Sequence, residues 1–299
     1  MGSPKKVSDE DLVRHFQDTG NIRETARRSQ ISYKSAYLRL VRGNHIHAPT
    51  FNPGREATAR TIPENTTLVI PDLQAPAHHP DALAFLCAIR DKYRPVNTVC
   101  IGDELDLSFL SDFVRMPEAD QPHSEFAAGQ AFCRSLFAEF PDAVALTSNH
   151  VEGRLSKARA RGRILPAFLK SVEDILDAPI GWSWHSQIKM GDILFRHGHR
   201  DVQNLKRVIL EEIPAQEGRH YSLILGHYHS KFGVATPDLK VGDKLYYGAF
   251  TGCLIDPSHP FFSYSRGYER LGTIVIVHGR VVPVAMPLDA SGRWTGRLP

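Results

Sequence analysis

From residue 66 onward, short apolar runs alternate with amphipathic stretches. TTLVIP (66–71), VNTVCIG (96–102), DAVALTS (142–148) and YSLILGH (221–227) are too short for helices and nearly all apolar, which predicts strands buried on both faces. Between them the spacing predicts helices over 80–93, 108–115, 124–139, 153–177 and 201–212, with a further extended stretch QIKMGDILFRH at 187–197. The tail changes character. LYYGAFTG, RLGTIVIVHG and RVVPVAMPL read as strands with little helix between them. Parallel α/β units followed by antiparallel strands predict a two-sheet α/β sandwich.

The first residues follow another rhythm. Over 8–42 the pattern gives three short helices. Ser8 is a good N-cap with Asp11 three residues on, and Leu12, Val13 and Phe16 form an apolar face. A second helix covers 22–29, and Ser32 caps a third that carries Ala36, Leu38, Leu40 and Val41. The stretch ETARRSQISYKSAYLRL resembles the helix-turn-helix of DNA-binding proteins, whose last helix enters the major groove. That likeness would turn Tyr33, Lys34, Ser35, Tyr37 and Arg39 toward nucleic acid; a three-helix module for protein contacts is the alternative. Residues 43–65 hold three prolines, two glycines and no periodicity. The expected division is a module at 1–47, a linker at 48–65 and a larger domain at 66–299.

Composition narrows the class. At 42% apolar and 23% charged, the chain reads as globular rather than fibrous or disordered. No apolar run approaches the roughly 18 residues that span a bilayer, so no membrane association is expected. The N-terminus has lysines without a following apolar segment, unlike a secretory signal. Cys87, Cys100, Cys133 and Cys253 are scattered, which suggests buried thiols in a reducing, cytoplasmic setting. Charge is uneven: residues 1–47 carry nine Lys/Arg against five Asp/Glu, so +4 of the net +3 lies there and −1 in the remainder. The small module therefore expects an anionic partner, with nucleic acid first.

Five predicted strands end in residues able to hold metal. They are Asp72 and Gln74 in VIPDLQAP, Asp103 and Asp106 in CIGDELD, Asn149 and His150 in TSNHVE, His197 and His199 in LFRHGHR, and His227 and His229 in LILGHYHS. In an open α/β sheet, ligands bind beyond the C-terminal strand ends. Residues two apart in an extended segment point the same way, so Asp72/Gln74 and His227/His229 form pairs. Each piece alone has a plain reading as a turn or a surface loop; five in this order do not.

The ordered set D-x-Q, G-D-x-x-D, S-N-H-V-E, H-G-H and G-H-x-H resembles the calcineurin-like metallophosphoesterase superfamily over residues 66–285. With the helix-turn-helix ahead of it, the chain is similar to phage-encoded members, whose compartment would be the host cytoplasm. The resemblance implies an αββα sandwich holding two divalent metals. One would lie on Asp72, Gln74, Asp103 and His229; Asp103 would bridge to a second on Asn149, His197 and His227. His199 is the weaker alternative to His197. His150 matches the residue that protonates the leaving group, and Asp106 or Glu152 would orient it or a ligand histidine. Gln74 stands where the family usually has histidine, and Ser148 replaces a glycine. A carboxamide oxygen is a harder ligand than imidazole, so the first site should bind more weakly and favour manganese or magnesium; manganese is expected first, with iron, zinc and nickel as alternatives.

After the Asn-His pair come Arg154, Lys157, Arg159, Arg161 and Arg163, with no acid over 153–163. A solvated helix face is one reading and a track for a nucleic-acid backbone the other. Arg154, Lys157 and Arg161 are the candidate phosphate contacts there, joined by Lys34 and Arg39 in the small module. The expected activity is a phosphodiesterase or nuclease. A phosphomonoesterase on nucleotides or polynucleotide ends, and a catalytically weak DNA-binding regulator, are the alternatives. Oligomeric state is not legible.

Overall fold

The computed structural model describes residues 7–19, 22–31, 35–36, 39–40, 43, 59–111, 121–161, 170–198, 204–259 and 269–299. The chain divides into two compact units, Met1–Asn52 and Pro53–Pro299. No helix among the described residues is long and apolar enough to cross a membrane.

In the small unit, helices Asp9–Thr19 and Ile22–Arg28 are formed as the pattern predicts. The Asp11 N–H donates to Ser8 Oγ at 3.0 Å, which caps the first. Leu12, Ala26, Ala36 and Leu40 are buried together, with Val13, Phe16 and Ile31 against them. Most of the expected third helix, including Lys34, lies outside the described residues. Arg39, expected on nucleic acid, is spent inside the unit: its guanidinium pairs with the Asp9 carboxylate and donates to the Val7 carbonyl at 2.9 Å.

Among the described residues the large unit has twelve strands: β1 (Ala59–Thr61), β2 (Thr67–Ile70), β3 (Asn97–Cys100), β4 (Ala143–Leu146), β5 (Trp182–His185), β6 (Gln187–Met190), β7 (Ile193–Arg196), β8 (Ser222–Leu225), β9 (Phe232–Val241), β10 (Lys244–Thr251), β11 (Gly272–Val277) and β12 (Arg280–Ala285). One sheet has the order β12-β11-β2-β3-β4-β5, the other β1-β6-β7-β8-β10-β9. In the first, β2 to β5 run parallel and the β11–β12 hairpin adds antiparallel to β2.

The strands read as apolar runs because both faces are covered. Val69, Val99, Ile101 and Leu146 of the first sheet meet Ile188, Phe195, Ile224 and Ala249 of the second. The alternate residues Leu68, Ile70, Cys100 and Ala145 face helices Ala82–Tyr93 and Pro122–Glu139. On the far side, Leu194, Leu223 and Leu225 pack against Leu205, Ile209 and Ile213 of the helical stretch 205–217. The layers are therefore helix, sheet, sheet, helix, and the expected two-sheet sandwich is present.

Several elements differ from expectation. Ala59–Thr61, placed in the linker, instead pairs parallel with β6. The extended stretch at 187–197 is a hairpin, since Gly191 at φ 56° lets β6 turn back into β7. Over 153–177, where helices are expected, a helical turn at Asn149–Gly153 leads into helix Arg154–Ala160, and Val172–Leu176 starts anew from Ser171, whose Oγ accepts from Asp174 N–H. The helix expected at 108–115 is a 3-10 turn, Ser108–Leu110, within the described residues. Strands β5 and β9 were not anticipated.

Phe195 is fully buried in the inter-sheet layer. Phe195→Ala should lower the unfolding free energy by about 3–5 kcal/mol, read from urea denaturation. A loss under about 1 kcal/mol would mean that the two sheets are not closely packed there.

Candidate metal centre

Parallel strands β2, β3, β4, β7 and β8 deliver their C-terminal loops to one place. Two groups of metal-capable side chains meet there: Asp72, Asp103 and His229, and Asp103, His197 and His227, with each group's ligand atoms within 4.8 Å of one another. Asp103 belongs to both. Asp72, Asp103, Gln74 and His197 are buried, and His229 keeps 23% of its side chain exposed.

The loops reach this place through unusual backbone. Gln74, Asp103 and His227 have φ of 49°, 54° and 66°, in the left-handed region that costs side-chain-bearing residues energy. Gly102, at φ 102°, is also pressed on both sides: a Cβ there would come within 2.8 Å of Ser148 Cβ and 2.9 Å of His197 Nδ1. The Asp103 carbonyl accepts from the Leu73 and Gln74 N–H groups at 3.2 and 2.7 Å, so the β2 and β3 loops are fastened to each other.

His197 is oriented from behind, its Nδ1–H donating to the Ile101 carbonyl at 2.8 Å. Its Nε2 then faces Asn149 Oδ1 at 2.7 Å and Asp103 Oδ2 at 3.2 Å. His227 Nδ1 lies 2.9 Å from the same Asn149 oxygen, and the His227 N–H donates to Asp72 Oδ2 at 2.7 Å. His229 Nε2 is 3.1 Å from Asp72 Oδ2. Gln74 Nε2 stands between Asp103 Oδ2 at 3.5 Å, His150 Nε2 at 3.3 Å and His229 Nε2 at 3.3 Å.

The charges show what the place needs. Burial alone would lower His197, yet the Asp103 charge and contact, with Asp72, lift it to about 10. Burial and the His197 charge push His227 down to about 4. Burial works to raise Asp103, but His150, His197 and His227 hold it well below the carboxylate range. Two buried oxygens, Asp72 Oδ1 and Gln74 Oε1, have no hydrogen-bond partner. A half-turn of the Gln74 carboxamide puts Oε1 where Nε2 stands. Carboxylate, carboxamide and imidazole donors, two unpaired buried oxygens and a strong demand for positive charge fit a divalent cation.

His150 sits at the rim, with 14% of its side chain exposed. Its Nδ1 lies 2.5 Å from Asp106 Oδ1, and its backbone N–H donates to Asp103 Oδ1 at 3.1 Å. Burial would raise Asp106, but the His150 hydrogen bond and the His150 and Arg154 charges keep it low. Arg154, expected on substrate phosphate, donates to the Asp106 carbonyl and, at 3.0 Å, to its Oδ1. Glu152 does not touch His150: its Oε2 accepts from the Ser148 N–H at 2.7 Å and holds the turn ahead of Asn149. Lys157 and Arg161 are exposed on and after helix Arg154–Ala160, and His199 lies outside the described residues.

Sequence reading passed over Glu104. It is fully buried behind Asp103, and its Oε1 accepts from Trp184 Nε1–H at 3.0 Å and from the Cys100 thiol at 3.5 Å. A third acid within GDELD, directly after the apolar stretch VNTVCI, was the available signal.

No family model and no curated protein matches this chain. Among solved structures it is similar to the crystal structure of Pseudomonas putida nuclease MPE, at 13% identity and a TM-score of 0.33, over 73% of this chain and 85% of that one. At that level of backbone agreement the likeness carries no weight for activity.

Burial and the Glu104 charge lift the Glu152 carboxyl to about 8, and burial lifts Glu104 to about 7. Between their ordinary values near 4.5 and these raised values, the fold binds protons that the unfolded chain has released. These two carboxyls therefore contribute a fall in the stability of the metal-free protein as pH rises through that window, opposed in its lower part by His227. Glu152→Gln should flatten the fall, measured as urea midpoints across pH; an unchanged slope would mean that Glu152 is ionised in the fold.

Proposed function

We propose that this chain is a divalent-metal-dependent phosphoesterase that hydrolyses phosphodiesters of nucleic acid. The observation that carries the reading is the pair of ligand groups sharing Asp103, with the His150–Asp106 pair at their rim. Asp72, Gln74, Asp103 and His229 would hold one cation, and Asp103, Asn149, His197 and His227 the other. Bound there, such cations would supply Lewis-acid polarisation of a phosphoryl group and a water acidified toward neutral pH. Carboxylate and carboxamide oxygens favour manganese, then magnesium.

The chain's own part is proton transfer and orientation. Asp106, kept ionised, is an acceptor only, so His150 Nδ1 carries the hydrogen between them. That leaves Nε2 facing the cluster, where the imidazolium can pass its proton to the oxygen that leaves phosphorus. Asp106 stabilises the imidazolium and fixes the ring, and Arg154 in turn holds Asp106. Arg154 thus positions Asp106 through one nitrogen, and its remaining N–H donors can still meet a substrate phosphate.

Nucleic acid is favoured as substrate by the +4 charge of residues 1–47 and by the exposed Lys157 and Arg161 near the rim. We read 1–47 as a phage-type helix-turn-helix module joined through 48–65 to the domain at 66–299, with the joint shortened by β1.

The deciding assay is end-labelled single- and double-stranded oligonucleotides bearing a terminal phosphate, incubated across a Mn²⁺ titration. Shortened chains are expected. Intact chains that release inorganic phosphate would make this an end-processing phosphatase, and tight binding without turnover under any metal would make it a regulator. His150→Ala should lower kcat by about 10²–10⁴ while leaving metal affinity, measured by calorimetry, within a few-fold of the parent; near-parental turnover would remove His150 from the mechanism. Deleting residues 1–47 should weaken oligonucleotide binding yet spare hydrolysis of a small aryl phosphodiester. Loss of both activities would refute a separable module.

A further inference from the structure

The turn that carries His227 and His229 also carries a lysine. It closes tightly, with the Tyr228 N–H donating to the Gly226 carbonyl at 2.8 Å and the Lys231 N–H to the Tyr228 carbonyl at 2.9 Å. Tyr228, between the two histidines, stands edge-on to His227 with ring centroids 5.2 Å apart, and edge-on to Phe250 at 5.3 Å. The Lys231 ammonium lies 4.9 Å from the centroid of each of those rings, Tyr228 and Phe250. It therefore sits no further from a ligand imidazole than the sum of two ring-scale distances.

Its setting differs from that of the other cations considered. Arg154 is bound to Asp106, Arg39 to Asp9, and Arg159 donates to the Lys170 carbonyl at 2.5 Å. Lys231 is exposed and, among the described residues, has no carboxylate in ion-pairing range. Two aromatic faces support it instead. A cation–π contact restrains an ammonium without neutralising it, so the charge remains available to an anion. On the same turn, the side chain of His229 is 23% exposed, against 4% for His197 and none for Asp72 or Asp103.

We propose that Lys231, propped on Tyr228 and Phe250, binds the phosphate next to the scissile one in a single-stranded polynucleotide. This rests on the phosphodiesterase reading and sharpens it. A fixed positive charge one step along the chain rewards a substrate with a flanking phosphate, which a lone terminal phosphate or a small aryl ester lacks. Both DNA and RNA present that group.

The test uses the full chain carrying His150→Ala, with Mn²⁺ bound, and fluorescent single-stranded DNA and RNA oligonucleotides titrated at several salt concentrations. Adding Lys231→Gln should weaken binding several-fold and make the plot of log affinity against log salt shallower by about 0.7, the loss of one phosphate contact. Lys231→Arg should restore the slope. In the otherwise native enzyme, Lys231→Gln should lower kcat/KM for oligonucleotides relative to that for a small aryl phosphodiester. An unchanged slope with hydrolysis intact would overturn the Lys231 contact alone, and so would a change confined to RNA, which would point to the 2′-hydroxyl. A parent enzyme that cleaves no phosphodiester under any metal would overturn the function, and this contact with it.

Discussion

One carboxylate organises this molecule's functional end. Asp103 is wholly buried, yet its neighbours keep it ionised. An ionised carboxylate out of water costs several kcal/mol unless paired and hydrogen-bonded. The required partners come from different strands: the His150 N–H after β4 and the His197 imidazole after β7. Its carbonyl meanwhile takes the N–H groups of Leu73 and Gln74 from the loop after β2. Satisfying one residue therefore pulls together loops of both sheets, and the left-handed backbone at Asp103 is the local cost of aiming both of its polar groups.

The same neighbourhood sorts four acids by environment. Asp72 and Asp103 face imidazoles, and Asp103 is held ionised there. Glu104 and Glu152 are turned the other way, where burial dominates and raises both. Each keeps one oxygen on a structural donor, Trp184 Nε1–H or the Ser148 N–H, and the other oxygen is buried without a partner. Protonation of these two lowers the negative charge packed behind Asp103. Acids adjacent in sequence, Asp103 and Glu104, are thus shifted in opposite directions, Asp103 toward the ionised form and Glu104 toward the protonated one, because their side chains enter different surroundings.

How much of this was legible follows from what periodicity can report. Strands buried on both faces announce themselves as apolar runs, so β2, β3, β4 and β8 and the residues at their ends were readable. The edge strands β1, β5 and β9 were not. Trp182 and Trp184 of β5 alternate with polar residues, and β1 has three residues, all exposed. β9 includes Pro237 and Asp238, the latter at φ 55°, and both read as turn residues. For side chains, identity is legible and partnership is not. Arg154 and Arg39 announced charge, and only three-dimensional contact reveals that Asp106 and Asp9 have taken it. Lys231 was missed for the converse reason: nothing in the sequence distinguishes a lysine resting on two rings from any other surface lysine.

Gln74 shows where residue type and geometry must be read together. In sequence it is a departure from an expected histidine, and so a weaker ligand. In place, it is a carboxamide among three polar neighbours, with its nitrogen inward and its oxygen unpaired. An imidazole in this position would present a ring nitrogen whatever its surroundings. A carboxamide has two faces of opposite polarity, and a half-turn exchanges them. Nitrogen inward, it donates to Asp103 and helps to hold the ligand loops together, while the unpaired buried oxygen costs about 1–3 kcal/mol. Oxygen inward, it offers that acceptor to a cation between Asp103 and His229. In the site proposed above, the glutamine would thus bridge the cation-free form internally and lower affinity for reasons beyond the hardness of its donor atom.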